Sequence, residues 1–126
     1  MKRITIHNPC NLDVGPISAT FLGGDHRDLK FGDEVQLVDP NDQDLLFAEV
    51  LNVWEGPLAH IPAMLLEASN DPLQRTFAGV HMHLVARRTE QDIKIDQESI
   101  VTTLMLRPKQ STLIRPTMND LKRMQS

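Results

Sequence analysis

The strongest constraint on the fold is a pair of strand-like runs on either side of a polar turn. Residues 34–39 alternate between polar and apolar side chains, and residues 39–44 are then rich in Asp, Asn and Pro. Such residues favour turns, because Pro fixes φ and Asp and Asn hydrogen-bond to nearby backbone. Residues 45–54 are apolar on both alternating faces apart from Glu49 and Asn52. The pattern predicts a β-hairpin whose second strand is central in a sheet or bent into a barrel.

The other segments predict a mixed α+β order around this hairpin. Short strands are expected at residues 4–6, 17–22 and 100–106, the last of them stopped by Pro108. A short helix is expected at 62–68, and a longer one from an Asp71-Pro72 cap to residue 88. Since no regular βαβ alternation occurs, we predict a small antiparallel β-barrel with a helical insertion before the last strand. One core is expected to include Val35, Leu37, Val50, Trp54, Phe77, Ile100 and Leu104.

Length and composition predict one barrel domain at 1–106 followed by a basic tail at 107–126. The tail holds five basic residues and one acidic residue, in a chain of net charge −4. Its positive charges could bind the phosphate backbone of a nucleic acid. Alternatively, it could make a protein contact or oligomerise, or it could dock passively on its own body. The protein contact would use its apolar side chains, which are Leu113, Ile114, Met118 and Leu121.

The cellular setting predicted by the sequence is cytoplasmic, without a membrane partner. No apolar run approaches the ~20 residues needed to span a bilayer. The single cysteine, Cys10, cannot form an internal disulfide, which agrees with a reducing compartment. His7 is the only base near it in sequence, and an unreactive thiol is the favoured interpretation.

No metal or cofactor is predicted. His81 and His83 lie two residues apart on the predicted helix, so their side chains point about 200° apart and cannot chelate one ion together. Glu49 leaves two possibilities open. If it is buried on its apolar strand, it is a candidate site residue, and if the strand is bulged or at an edge, it is a solvated carboxylate.

Two segments, at residues 31–37 and 47–53, carry a resemblance to a known family. The first reads Phe-Gly-Asp-Glu-Val-Gln-Leu and the second Phe-Ala-Glu-Val-Leu-Asn-Val, and the helical segment 71–88 and strand 100–106 follow at the usual distances. In this order the chain resembles the ASCH domains of the PUA-like superfamily over about residues 15–107. The resemblance implies a cleft beside the barrel for RNA, a nucleotide or a modified nucleoside.

The enzyme branch of that family, similar to acetylcytidine amidohydrolase, carries a Gly-x-Lys-Thr-x-Thr-x-Arg segment on the strand before the polar loop. Here Thr20 matches a threonine, Ser18 stands at the other threonine, and Ile17 and Leu22 replace the lysine and the arginine. Glu67 is the nearest candidate for the family's catalytic glutamate. Thr20 and Glu67 are therefore the two catalytic candidates. Because an aliphatic side chain cannot act as a base or hold a phosphate, we favour a binding module without catalysis over a diverged amidohydrolase.

The resemblance directs attention to strand 17–22 and the loop after it. This loop combines two glycines with an acid/base pair and an arginine, although such residues also form ordinary solvated turns. The residues expected to bind a ligand are Ser18, Thr20, Asp25, His26, Arg27 and Lys30. The alternative function is a protein-interaction or assembly module, which the scarcity of aromatic residues and the negative net charge favour.

Overall fold

The computed structural model describes residues 1–13, 15–87 and 94–109, which form a curled half-barrel sheet with two helices. The strands are β1 (Lys2–Thr5), β2 (Ile17–Leu22), β3 (Glu34–Val38), β4 (Asp44–Pro57) and β5 (Ile100–Lys109). Between β4 and β5 lie a 3-10 turn at Leu58–His60, α1 (Ala63–Glu67), a second 3-10 turn at Pro72–Gln74 and α2 (Phe77–Arg87). The α+β barrel class with its helical insertion is confirmed.

The strand order is β1-β3-β4-β5-β2, so β1 and β2 are the outer strands of the sheet. The β3–β4, β4–β5 and β2–β5 pairs are antiparallel as expected, whereas β1 runs parallel to β3. The chain leaves β1 and forms β2 at the opposite edge before it returns as β3. This crossover allows a parallel pair, which a short hairpin connection could not make.

The predicted hairpin corresponds to β3 and β4. Val35 pairs with Ala48, and the turn between the strands is closed by Asp39. One Asp39 carboxylate oxygen accepts hydrogen bonds from the backbone N–H groups of Asn41 and Gln43, each at 2.9 Å. The turn chemistry read from the sequence therefore fixes this connection.

The apolar residues form two clusters, one on each face of the sheet. The barrel interior contains Ile4, Ile6, Ile17, Leu29, Val35, Leu37, Ala48, Val50, Leu104 and Leu106. The helix-facing cluster contains Leu58, Ile61, Leu65, Leu66, Val80, Leu84, Ile95 and Val101. The four core residues predicted at 35, 37, 50 and 104 all lie in the barrel interior.

Trp54 was predicted in that same interior, and this prediction was wrong. The β4–β5 register shifts between Val50 and Asn52, so one residue of β4 is bulged out of the pairing. An extra residue reverses the alternation of side chains beyond it. Val53, opposite Leu104, therefore packs against the barrel interior, and Trp54 packs against the helix-facing cluster.

Phe77 and Ile100 were also predicted in the core, and they are 44% and 45% exposed. Phe77 is the first residue of α2 and Ile100 the first residue of β5. A residue at the end of an element has packing neighbours on one side only, which hydrophobic spacing along the chain cannot reveal.

The predicted single helix from the Asp71 cap is interrupted. Asp71 caps only the 3-10 turn, where its carboxylate accepts from the Leu73 N–H at 3.0 Å and the Gln74 side-chain amide at 3.1 Å. The α2 helix begins after Thr76, whose hydroxyl accepts from the Gly79 N–H at 3.1 Å. Two caps in succession therefore turn the chain between the two segments.

Strand β5 continues three residues beyond the predicted end at 106. Pro108, expected to stop it, lies opposite Ala48 of β4. On the other side of β5, pairing with β2 ends at Leu106, so Pro108 sits where β5 has become an edge and its missing N–H is tolerated. Arg107 and Lys109, the first two basic residues of the predicted tail 107–126, belong to this strand, and the rest of that tail, 110–126, lies outside the described residues.

In the described part of the chain, no helix has the length and apolar character required to cross a membrane.

Candidate functional site

A cleft lies where the barrel remains open, between the end of β1 and the outer edge of β2, and α2 forms its third wall. Its wider part has a volume of about 250 Å³ and joins a narrow inner part beside β2. The residues that line the wider part include His7, Thr20, Phe21, Asp25, His83 and Arg87.

The outer edge of β2 forms one wall. The Ser18 N–H donates to the Ala68 carbonyl at 3.0 Å, and the Ser18 hydroxyl donates to the Leu65 carbonyl. On the other side of the strand, the Gly23 N–H donates to the carbonyl of Ile100 at 2.8 Å. Backbone groups alternate in direction along a strand, so those of Thr20 point to the same side as those of Ser18. This side faces away from β5 and towards the cleft. Ser18 is thus occupied in attaching α1 to the sheet, although it also lines the inner part.

The side chain of Thr20 is held from inside the fold. Its hydroxyl shares a 2.9 Å hydrogen bond with the hydroxyl of Thr103 on β5, and both residues are buried. This contact fixes the rotamer of Thr20, and therefore the shape of the cleft wall. The part of Thr20 best placed for a ligand is its backbone.

The loop after β2 divides the residues predicted at the site. Asp25 lines the cleft, whereas His26 packs its ring edge-on against Phe21, with the ring centroids 4.6 Å apart. The Nδ1 atom of His26 is buried without a hydrogen-bond partner among the described residues. Burial, followed by the charge of Lys2, lowers the pKa of His26, while the carboxylates of Asp25 and Asp28 oppose this.

Arg27 and Lys30 do not line the cleft. The Arg27 guanidinium forms a 3.2 Å ion pair with Glu55 on β4 and lies across Gly24, where an added Cβ would be 1.9 Å from it. Lys30 is exposed, and its backbone N–H donates to Asp33 at 2.9 Å. Of the six predicted ligand-binding residues, the fold brings Ser18, Thr20 and Asp25 to the cleft.

Asn70 fixes the loop that follows β1. Its side-chain amide donates to the carbonyls of Asn8 at 2.7 Å and Cys10 at 2.9 Å. The backbone carbonyl of Asn70 accepts hydrogen bonds from the Cys10 thiol at 3.3 Å and from the Asn11 side-chain amide at 3.0 Å. The thiol therefore takes part in a packing contact, and the loop holds His7 against the cleft.

Three basic groups at the cleft were missed by the sequence interpretation. The rings of His7 and His83 meet edge-to-face with their centroids 5.4 Å apart. Arg87 follows His83 by four residues on α2 and lines the same cleft. Burial, and then the charges of His7 and Arg87, lower the pKa of His83 to about 4 against the opposing effect of Asp71. Burial and Arg87 also lower the pKa of His7.

His81 lies on the other side of α2, as the helical spacing predicts. Its Nε2 atom hydrogen-bonds with the Ile95 carbonyl at 2.6 Å, beside a groove of about 670 Å³. This groove is larger than the cleft, but it is lined mainly by apolar side chains such as Leu58 and Phe77. In the described part of the chain, no group of three His, Cys, Asp or Glu residues is placed to hold a metal ion.

Two of the residues related to the family's enzyme branch, Ile17 and Glu67, do not line the cleft. Glu67 is exposed at the end of α1, and Ile17 is fully buried in the barrel interior. Leu22 lines the cleft as an aliphatic side chain and packs against the helix-facing cluster. Glu49 lies at the surface, where its side chain is 26% exposed and forms a 3.4 Å ion pair with Arg107. Of the two possibilities left open by the sequence, Glu49 is therefore a solvated carboxylate and not a buried site residue.

Two solved structures are similar to this fold. A DUF984-family protein from Enterococcus faecalis V583 superposes with a TM-score of 0.65 at 7% identity, over 89% of this chain and 80% of its own. An ASCH domain from Lactobacillus crispatus JV V101 superposes with a TM-score of 0.58 at 9% identity, over 85% of this chain and 79% of its own. The resemblance to ASCH domains is thereby confirmed for the fold. No protein-family model matches the sequence, and no curated protein matches it significantly.

Proposed function

We propose that this domain is a binding module whose cleft takes a single nucleoside or nucleotide, either free or as an unpaired residue of RNA. The observation that carries this proposal is the wall of the cleft that Thr20, Phe21 and Asp25 line together. A base is recognised through donors and acceptors along its edge and by contact with its ring face. This wall offers both kinds of group within one cleft.

The size and charge of the protein favour one nucleotide unit over a long strand. The cleft volume of about 250 Å³ is just below the ~300–1,000 Å³ typical of sites for drug-sized ligands. Extended binding to a phosphate backbone requires clustered cations, whereas this chain has a net charge of −4. The fold is shared with an ASCH domain, and the resemblance to that family implies a cleft for RNA, a nucleotide or a modified nucleoside. A cytoplasmic location, expected from the sequence, suits such ligands.

The test is calorimetric titration of the four common ribonucleosides and a short unpaired RNA into the parent protein and two variants. Asp25→Asn removes a carboxylate that lines the cleft. Asp28→Asn is the matched control, because Asp28 belongs to the same loop but forms an exposed ion pair with Lys2. We expect Asp25→Asn to weaken binding by about tenfold, as loss of a charged hydrogen bond does, and Asp28→Asn to leave it unchanged. If the parent binds none of the probes, the proposal is wrong.

A protein contact is the second candidate, and the groove beside Phe77 is the observation that favours it. Its apolar lining and the 44% exposure of Phe77 would suit a second copy of this chain. Light scattering of the parent and Phe77→Ser tests this candidate. A parent dimer that becomes monomeric in the variant would support self-association, and a monomeric parent would exclude it.

A further inference from the structure

We propose that His7, His83 and Arg87 form an anion subsite that holds a phosphate group of the ligand, an inference that rests on the proposed function. The three residues line the cleft from the segment after β1 and from α2, whereas Thr20 and Asp25 form the wall on β2 and the loop that follows it. A base at that wall would therefore direct its sugar and phosphate towards them. The ligand class is then a nucleoside monophosphate rather than a free nucleoside.

The three groups have unused hydrogen-bonding capacity. Within residues 1–13, 15–87 and 94–109, the imidazoles of His7 and His83 make no hydrogen bond, and Arg87 forms no ion pair. All three residues line the cleft, and the ring nitrogen atoms of His7 and His83 are not fully buried. A phosphate monoester brings three strong acceptor oxygens and a charge of about −1.5 to −2, which suits two imidazoles and a guanidinium.

A cation would be disfavoured at the same place. Two imidazoles are fewer ligands than the three or four that a zinc site requires. Arg87 is near enough to both rings to lower their pKa values, and it would repel a metal ion as it repels a proton. The same three side chains that exclude a metal therefore favour an anion.

The subsite should take up a proton when phosphate binds. Without a ligand the rings of His7 and His83 are largely neutral at pH 7, since burial and Arg87 disfavour their charged forms. The other charged groups facing them are Asp71, engaged by the 3-10 turn after it, and Asp25 across the cleft. A bound dianion would outweigh Arg87 and raise the pKa of both rings. Binding of the monophosphate should accordingly strengthen as pH falls from 7 to 6.

The experiment compares the four ribonucleosides, their 5′-monophosphates and inorganic phosphate by calorimetry at pH 6 and 7. The number of protons that the protein takes up on binding is obtained by repeating the titrations in buffers with different ionisation enthalpies. We expect at least one monophosphate to bind about tenfold or more tightly than its nucleoside at pH 6, as charge-assisted hydrogen bonds would give. Arg87→Gln should remove most of this advantage. Lys94→Gln, which removes one exposed positive charge elsewhere, should retain it.

Because phosphate itself titrates near pH 6, proton uptake is taken as the difference between the parent and His83→Asn. A smaller uptake in the variant supports the subsite, and equal uptake overturns it. Nucleosides and monophosphates of equal affinity would overturn the subsite while leaving the proposed function intact. A phosphate advantage that survives Arg87→Gln would also overturn it. Inorganic phosphate binding as tightly as every monophosphate would support the subsite and contradict nucleoside recognition, and no binding by any probe would overturn both.

Discussion

Lowering the pH should reduce the free energy of unfolding at pH values above those at which the carboxylates become protonated, and His83 should be a main cause. Its pKa is about 4 in the folded protein and 6.5 in the unfolded chain. Between these values the unfolded chain binds a proton that the folded protein does not, so the stabilisation is complete above pH 6.5 and is lost as pH falls to about 4. The full difference would correspond to about 3.4 kcal/mol. Because the ring borders an open cleft, we expect screening to reduce this to about 1–2 kcal/mol.

Urea unfolding at several pH values between about 7.5 and 4.5 measures the effect. The parent should lose stability across this range, with His7 and His26 contributing in the same direction because burial lowers their pKa values too. His83→Gln should lose about 1–2 kcal/mol less than the parent, since the variant lacks the ring that the unfolded chain protonates. His60→Gln, at an exposed position, controls for removal of a histidine. Equal losses in the parent and His83→Gln would refute the reasoning.

Three further predictions concern packing, and each is measured by thermal or urea unfolding. Gly79→Ala should destabilise by about 1–3 kcal/mol, because its Cβ would lie 1.6 Å from the Leu73 carbonyl oxygen. A gain of about 1 kcal/mol, usual for this change in a helix, would contradict that geometry. Val50→Asp should unfold the protein, since a fully buried unpaired charge costs several kcal/mol against a total of ~5–15, and a cooperative folded variant would disprove its burial. Phe77→Ser should lower the free energy of unfolding by less than about 2 kcal/mol, and a decrease of about 3–5 kcal/mol would show that Phe77 is a core residue.

Local chemistry was sufficient for most of the elements. The β2 strand has the predicted bounds, and the hairpin turn is closed by Asp39 through hydrogen bonds to residues two and four positions away. Alternation of apolar residues also identified the interior positions Val35, Leu37 and Val50. These features depend on neighbours in sequence, so a single sequence contains the information that decides them.

The exceptions depend on pairing between distant strands. One bulged residue after Val50 reversed the faces of β4 and moved Trp54 to the helix side. Pro108 is accepted in β5 because the pairing of β5 with β2 stops two residues earlier, at Leu106. β1 can run parallel to β3 because the chain forms β2 at the opposite edge between them. Neither the length of a partner strand nor its register is encoded in the segment itself.

The candidate site shows the same division. The sequence, through the family resemblance, identified Thr20 and Asp25, which lie on β2 and the loop that follows it. His7 and Arg87 are eighty positions apart, and they meet only because the sheet curls until the end of β1 faces α2. The sequence by itself determined most of the strands and turns, because alternation and turn chemistry act over a few residues, and the family resemblance supplied the prediction of a ligand site at β2. The tertiary structure decided the opposite wall and its low-pKa histidine, because burial and charge proximity exist only once distant segments have packed together.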